Sequence, residues 1–121
     1  MALKVLIVDD NSITRLAISH CLKRGGYEVV AVADGIEAVS KASGDAFDLV
    51  LSDFAMPGMD GLALTHAIHT LAPKTPVIFM SGHPEVRREN VLGAGAADFL
   101  EKPLILDDLL AKIELALLDE R

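Results

Sequence analysis

The chain has 121 residues, a formal net charge of −7, 51% hydrophobic, 24% charged and 4% aromatic residues, and no Trp; that is one ordinary globular domain, able to bury about two thirds of its unfolded surface in a core of Val, Leu, Ile and Ala. The acidic balance argues against direct nucleic-acid binding, which needs clustered Lys and Arg, and the single cysteine, Cys21, excludes an internal disulfide and points to a reducing compartment. No apolar run approaches the ~20 residues of a membrane span and the first residues lack the regions of a signal peptide, so a cytoplasmic location with no membrane partner is expected.

Strand and helix signals alternate from end to end. Residues 4–8 are a short Val/Leu/Ile run closed by Asp9 and Asp10. Ile13, Leu16, Ala17 and His20 then recur at helical spacing until Gly25-Gly26 stops them. Within that stretch Cys21 reads as a small buried or half-buried side chain. Residues 27–33 are rich in β-branched side chains and read as a strand; Asp34-Gly35 turns the chain into a short helix at 36–42. The third strand, 47–52, again ends in an acid, Asp53. Pro57-Gly58 breaks the chain before a helix at 62–71, and Pro73 and Pro76 bracket the entry to the fourth strand at 77–80. Gly82 and Pro84 punctuate before a helix from about 85 to 92. Residues 97–100 form the last strand and 106–118 the last helix. On that helix Leu106, Leu109, Leu110, Ile113 and Leu117 make the face for the sheet, while Leu115 points away beside Ala111 and Leu118. Five strands alternating with five helices predict one α/β domain over 1–121, a parallel sheet with helices on both faces.

Ligands of open parallel sheets bind outside the carboxyl ends of the strands. Asp9 and Asp10 follow the first strand, Asp53 the third, Ser81 the fourth, and Glu101, Lys102 and Pro103 the fifth. Singly, an acid there serves equally well as the N-cap of the next helix. Jointly, clustered carboxylates repel, and a bound cation or raised pKa values must offset the cost. A hard divalent cation fits: Mg²⁺ takes oxygen ligands, one or two carboxylates among them, plus phosphate oxygens. That leaves room for a phosphoryl group, with Lys102 supplying positive charge and Ser81 a hydrogen bond. An aspartate can itself be the nucleophile.

The run Val5-Leu6-Ile7-Val8-Asp9-Asp10-Asn11, the run Leu49-Val50-Leu51-Ser52-Asp53 and the run Met56-Pro57-Gly58-Met59-Asp60-Gly61 resemble the receiver domain of two-component response regulators. So do Pro76-Val77-Ile78-Phe79-Met80-Ser81-Gly82 and Gly95-Ala96-Ala97-Asp98-Phe99-Leu100-Glu101-Lys102-Pro103, in order and at family-like spacing. The resemblance implies a flavodoxin-like (βα)5 three-layer sandwich with strand order 2-1-3-4-5, an order for which a chemotaxis receiver is the general example. It implies Asp53 as phosphoacceptor in a phosphorelay, with Asp10 on Mg²⁺ directly, Asp9 through water, and Asp53 and the Ala55 backbone carbonyl as further ligands. Lys102 would contact the phosphoryl group, Ser81 would be the switch hydroxyl and Phe99 the switch aromatic. The Lys102–Pro103 peptide would be cis and help to aim Lys102. The implied donor is a sensor histidine kinase or a histidine phosphotransfer protein. The surface of the fourth helix, fifth strand and fifth helix would change on phosphorylation and meet an output partner or a second copy, with Leu115 in it. Such a domain is a signalling switch, catalysing only its own phosphorylation and slow dephosphorylation.

Phe99 stands where many relatives carry Tyr, so an output contact through that hydroxyl is absent. Ala55 and His83 occupy positions that tune phosphate lifetime in the family; a role for His83 in hydrolysis competes with that of a solvated loop histidine. His20, His66 and His69 read as helix-face residues without metal-ligand spacing. Phosphatases with an Asp nucleophile want a second acid two residues on, where Ala55 stands, and Asp9-Asp10-Asn11 would repel the phosphate of a flavin mononucleotide. The remaining alternative is a pseudo-receiver that binds partners without phosphorylation.

Overall fold

A computed structural model describes residues 2–54, 59–82, 88–93 and 95–119. The elements are β1 (Lys4–Val8), α1 (Ser12–Arg24), β2 (Glu28–Val32), α2 (Gly35–Gly44), β3 (Leu49–Asp53), α3 (Gly61–Leu71), β4 (Val77–Ser81), α4 (Arg88–Gly93), β5 (Asp98–Glu101) and α5 (Leu106–Asp119). All strand pairings are parallel, in the order β2-β1-β3-β4-β5. From β1 the chain goes outward to β2, then returns past β1 to β3. The β1/β3 boundary is therefore the switch point where a doubly wound sheet opens a crevice.

Alternation along the strands builds two cores, one on each face. Val5, Ile7, Leu49, Leu51, Ile78, Met80 and Leu100 meet Ile18 and Leu22 of α1 and Leu109, Ile113, Ala116 and Leu117 of α5. Leu6, Val8, Val50, Val77, Phe79 and Phe99 meet Ala38 of α2, Leu64 and Ile68 of α3, and Val91 of α4. Every residue of β3 and β4 is buried, which is why these strands are apolar up to their polar ends, Ser52-Asp53 and Ser81.

One helix face is left open by the sequence, that of α1, and one differs from the sequence reading, that of α5. On α1, Ile13 and Leu16 are 79% and 73% exposed, and Ala17 and His20 are exposed too. Ile18 and Leu22 are buried instead, with Cys21 half-buried beside them. Both stripes have helical spacing, and the crossover from β1 to β2 decides which one faces the sheet. On α5 the buried face is as expected except for Leu106. As the first residue of that helix it sits beyond the sheet, 44% exposed. β3 and β4 each run one residue further than the periodicity indicates and so take Asp53 and Ser81 into the strands. The expected break at Pro57-Gly58 and the start of the fourth helix at 85–87 lie outside the described residues. His20 and His66 are exposed and His69 is half-buried. Among the described residues no helix is long and apolar enough to cross a membrane.

Candidate functional site

Three strand ends deliver the acids. Asp9, just past β1, is fully buried, Asp10 beside it is exposed, and Asp53 closes β3 at 8% exposure. One carboxylate oxygen from each of the three lies within 4.8 Å of the others. Neither Asp9 nor Asp10 caps the following helix. Asn11 does, its side-chain oxygen accepting from the backbone N–H groups of Ile13 and Thr14 at 3.0 Å each. The caps of α2 and α3 are Asp34 and Asp60. The acids at the sheet edge are thus left to face one another.

Asp9 is held on every polar atom. Its N–H donates to the Val32 carbonyl at 3.2 Å, and its carbonyl accepts from Arg15 Nη1 at 2.8 Å. Its Oδ1 accepts from the Asn11 N–H at 2.9 Å and its Oδ2 from Lys102 Nζ at 3.1 Å. Lys102 Nζ also reaches Asp53 Oδ2 at 3.3 Å, so one ammonium bridges the acids of β1 and β3. Burial alone would lower the Lys102 pKa; the charges of Asp53 and Asp9, with their hydrogen bonds, outweigh it and hold the ammonium above its ordinary value. The Lys102 backbone N–H donates to the Ser81 carbonyl at 2.9 Å, and the Lys102–Pro103 peptide is cis.

Ser81 is the last residue of β4 and 3% exposed. Phe99 does not join the acids. It is buried in the core on the α2–α4 side, paired in register with Phe79, two residues before Ser81. By strand alternation Ser81, Phe79 and Phe99 share that face. Glu101, the end of β5, is exposed and stands outside the acid cluster. Ala55 and His83 lie outside the described residues. The corner after Asp53 is built by Phe54, whose N–H donates to the Met80 carbonyl and whose carbonyl accepts from the Gly61 N–H. Its ring meets Phe79 edge-on at 5.2 Å.

Three carboxylates against one ammonium leave two negative charges when all are ionised. The donor set is all oxygen, and it fits a hard divalent cation rather than zinc, for which nitrogen or sulfur ligands would be expected. Sequence reasoning missed Arg15, because a helix residue reaching back to a strand-end carbonyl leaves no signal in spacing, and it missed that Asn11 takes the cap.

A family profile described as the response regulator receiver domain matches residues 5–114. The chain belongs to the response regulator receiver family. It is 43% identical over 116 residues to the response regulator protein FleR of Pseudomonas aeruginosa, covering 93% of this chain and 24% of that protein. To the C4-dicarboxylate transport transcriptional regulatory protein DctD of Rhizobium meliloti it is 38% identical, over 87% of this chain and 23% of that one. The receiver thus spans about a quarter of the length of these relatives. Among solved structures, a CheY-like receiver domain protein from Methanospirillum hungatei superposes with a TM-score of 0.92 at 32% identity, covering 99% of this chain and 97% of that one. Chemotaxis protein CheY4 of Vibrio cholerae superposes with a TM-score of 0.87 at 34% identity, covering 96% and 99%. The flavodoxin-like order of this receiver's sheet is that of its family, whose members act in two-component signalling.

Proposed function

We propose that this receiver is the phosphoacceptor switch of a phosphorelay. An Asp53 carboxylate oxygen attacks the phosphorus of a phosphohistidine on a sensor kinase or histidine phosphotransfer protein, the N–P bond breaks, and the imidazole leaves. The observation that carries this reading is the Asp53 carboxylate itself, at the end of the central strand, bonded to Lys102 and within 4.8 Å of two further carboxylates. Asp10 and Asp53 would hold Mg²⁺ directly, Asp9 through water, with the Ala55 carbonyl completing the protein ligands. The ion supplies neutralisation of the phosphoryl oxygens. Lys102 pairs with Asp53 before transfer and donates to a phosphoryl oxygen after it.

The added phosphoryl oxygens then offer Ser81 a new acceptor, and its movement makes room that Phe99 fills. Both residues lie on the α4 side of the sheet, and the change would read out on α4, on the edge strand β5 and, around that edge, on α5. There Leu115 and Leu118 are exposed, a surface for an output partner or a second copy. Ile13 and Leu16 of α1 and Ile105 before α5 are exposed and would offer a protein donor apolar contacts. The domain turns over only its own phosphate, and such a relay operates in the cytoplasm.

The test uses phosphoramidate, a small donor with the same N–P bond. With Mg²⁺ the intact mass should rise by one phosphoryl group, and neither Asp53→Asn nor the wild type in EDTA should gain it. Absence of the gain, with a control receiver labelled in parallel and a purified phosphohistidine protein also failing as donor, would leave the pseudo-receiver reading.

A further inference from the structure

We infer that Arg15 is a positioning residue for the metal-binding acids, setting the direction of Asp10 through the backbone of Asp9. The inference rests on the Mg²⁺ reading of the site and goes beyond its ligands. Among the described residues the exposed Asp10 carboxylate has no hydrogen-bond or ion-pair partner. No side-chain partner among them anchors it, so its placement depends on how firmly its backbone is held. The peptide joining Asp9 to Asp10 is planar, so holding the Asp9 carbonyl oxygen restrains the plane that carries the Asp10 Cα and narrows the range from which its side chain departs. The group that holds it is the guanidinium of Arg15, at 2.8 Å.

The remaining bonds close a circuit. The Asn11 N–H binds Asp9 Oδ1, the Asn11 side chain caps α1, and the Arg15 N–H donates to the Asn11 carbonyl at 3.0 Å. Helix α1 is thus tied to the acid pair at both ends of a two-residue turn, and Arg15 is the only member of the circuit that carries positive charge. Charge and positioning act on Mg²⁺ affinity with opposite signs. A guanidinium on the Asp9 carbonyl weakens cation binding by repulsion, whereas a held Asp10 strengthens it by presenting a ready ligand.

The experiment is calorimetric titration of Mg²⁺ into the wild type, Arg15→Ala, Arg15→Met and Arg15→Lys. Positioning predicts that Ala and Met weaken Mg²⁺ binding about tenfold, the lower end of what outer-shell partners contribute. Lys, which keeps a donor on a long stem, recovers most of the loss. Met retains the packing of the stem, so the comparison survives if the Ala variant does not fold. Leu109→Ala, destabilised in the core and outside the acid cluster, is expected to bind Mg²⁺ as the wild type does, which separates positioning from general loss of stability. Equal or tighter binding by both Ala and Met would overturn the inference while leaving the metal site standing. A wild type that binds no Mg²⁺ would overturn both.

Discussion

Lys102 donates to Asp9 and Asp53 from a position only 23% exposed, and without an added cation it is the only described ammonium holding these two acids together. Lys102→Met should therefore cost about 2 kcal/mol of stability in EDTA, the usual cost of leaving a buried acceptor, here Asp9 Oδ2, unpaired. Mg²⁺ should return more of that loss to the variant than it adds to the wild type. Thermal melts of both proteins, with and without the ion, check it; equal gains would mean that the ammonium and the ion do not share a site. At the opposite end of the sheet, Lys4 Nζ meets Asp45 Oδ2 at 2.7 Å in the open. The hydrogen bond and charge of Lys4 hold the Asp45 carboxyl below its ordinary 3.8, and Asp45 holds the Lys4 ammonium above its ordinary 10.5. A lowered acid stabilises the fold above 3.8 and stops doing so as pH falls through its folded value. A raised base stabilises it below 10.5 and stops as pH rises through its own. The difference in Tm between wild type and Asp45→Asn is thus small at neutral pH, as befits an exposed pair, and closes at both extremes of pH.

Elements are held by features of unequal visibility. At the corner between β3 and α3, a Cβ on Gly61 would overlap the Phe54 ring, and the ring cannot swing away without giving up its edge contact with Phe79. Ala would improve helix propensity by up to ~1 kcal/mol, but overpacking costs about 1–3 and the aromatic contact about 1 more. Gly61→Ala should therefore destabilise by about 1–3 kcal/mol in urea unfolding. The two faces of α5 should separate sharply. Leu109→Ala, in the core, should cost about 2–5 kcal/mol. Leu115→Glu, at 59% exposure, should stay within about 0.5 and instead weaken self-association or partner binding in sedimentation or pull-down measurements. The sequence already separated Leu109 from Leu115, because α5 has one dominant apolar stripe. It marked α1 as a helix without fixing its buried face, because Ile13-Leu16-Ala17-His20 and Ile18-Cys21-Leu22 both satisfy helical spacing and only tertiary packing selects between them.

For the whole molecule, parallel topology and strand-end chemistry are one argument. The order β2-β1-β3-β4-β5 opens the sheet between β1 and β3, and Asp9, Asp10 and Asp53 stand at those two strand ends. This much was legible in the residues, since each acid terminates an apolar run and each run is a strand. The bridge from Lys102 to Asp9, the cap at Asn11 and the return of Arg15 to the Asp9 carbonyl were not, because they join residues whose proximity exists only once the sheet has formed. What the assembled edge is for turns on one atom, the Asp53 carboxylate oxygen. The most direct measurement is borohydride reduction of the protein after treatment with acetyl phosphate, followed by peptide mass mapping, since reduction converts an aspartyl phosphate to homoserine. The account predicts homoserine at position 53 alone, and only when Mg²⁺ was present. Homoserine at Asp9 or Asp10, or conversion at Asp53 that is indifferent to Mg²⁺, would contradict it.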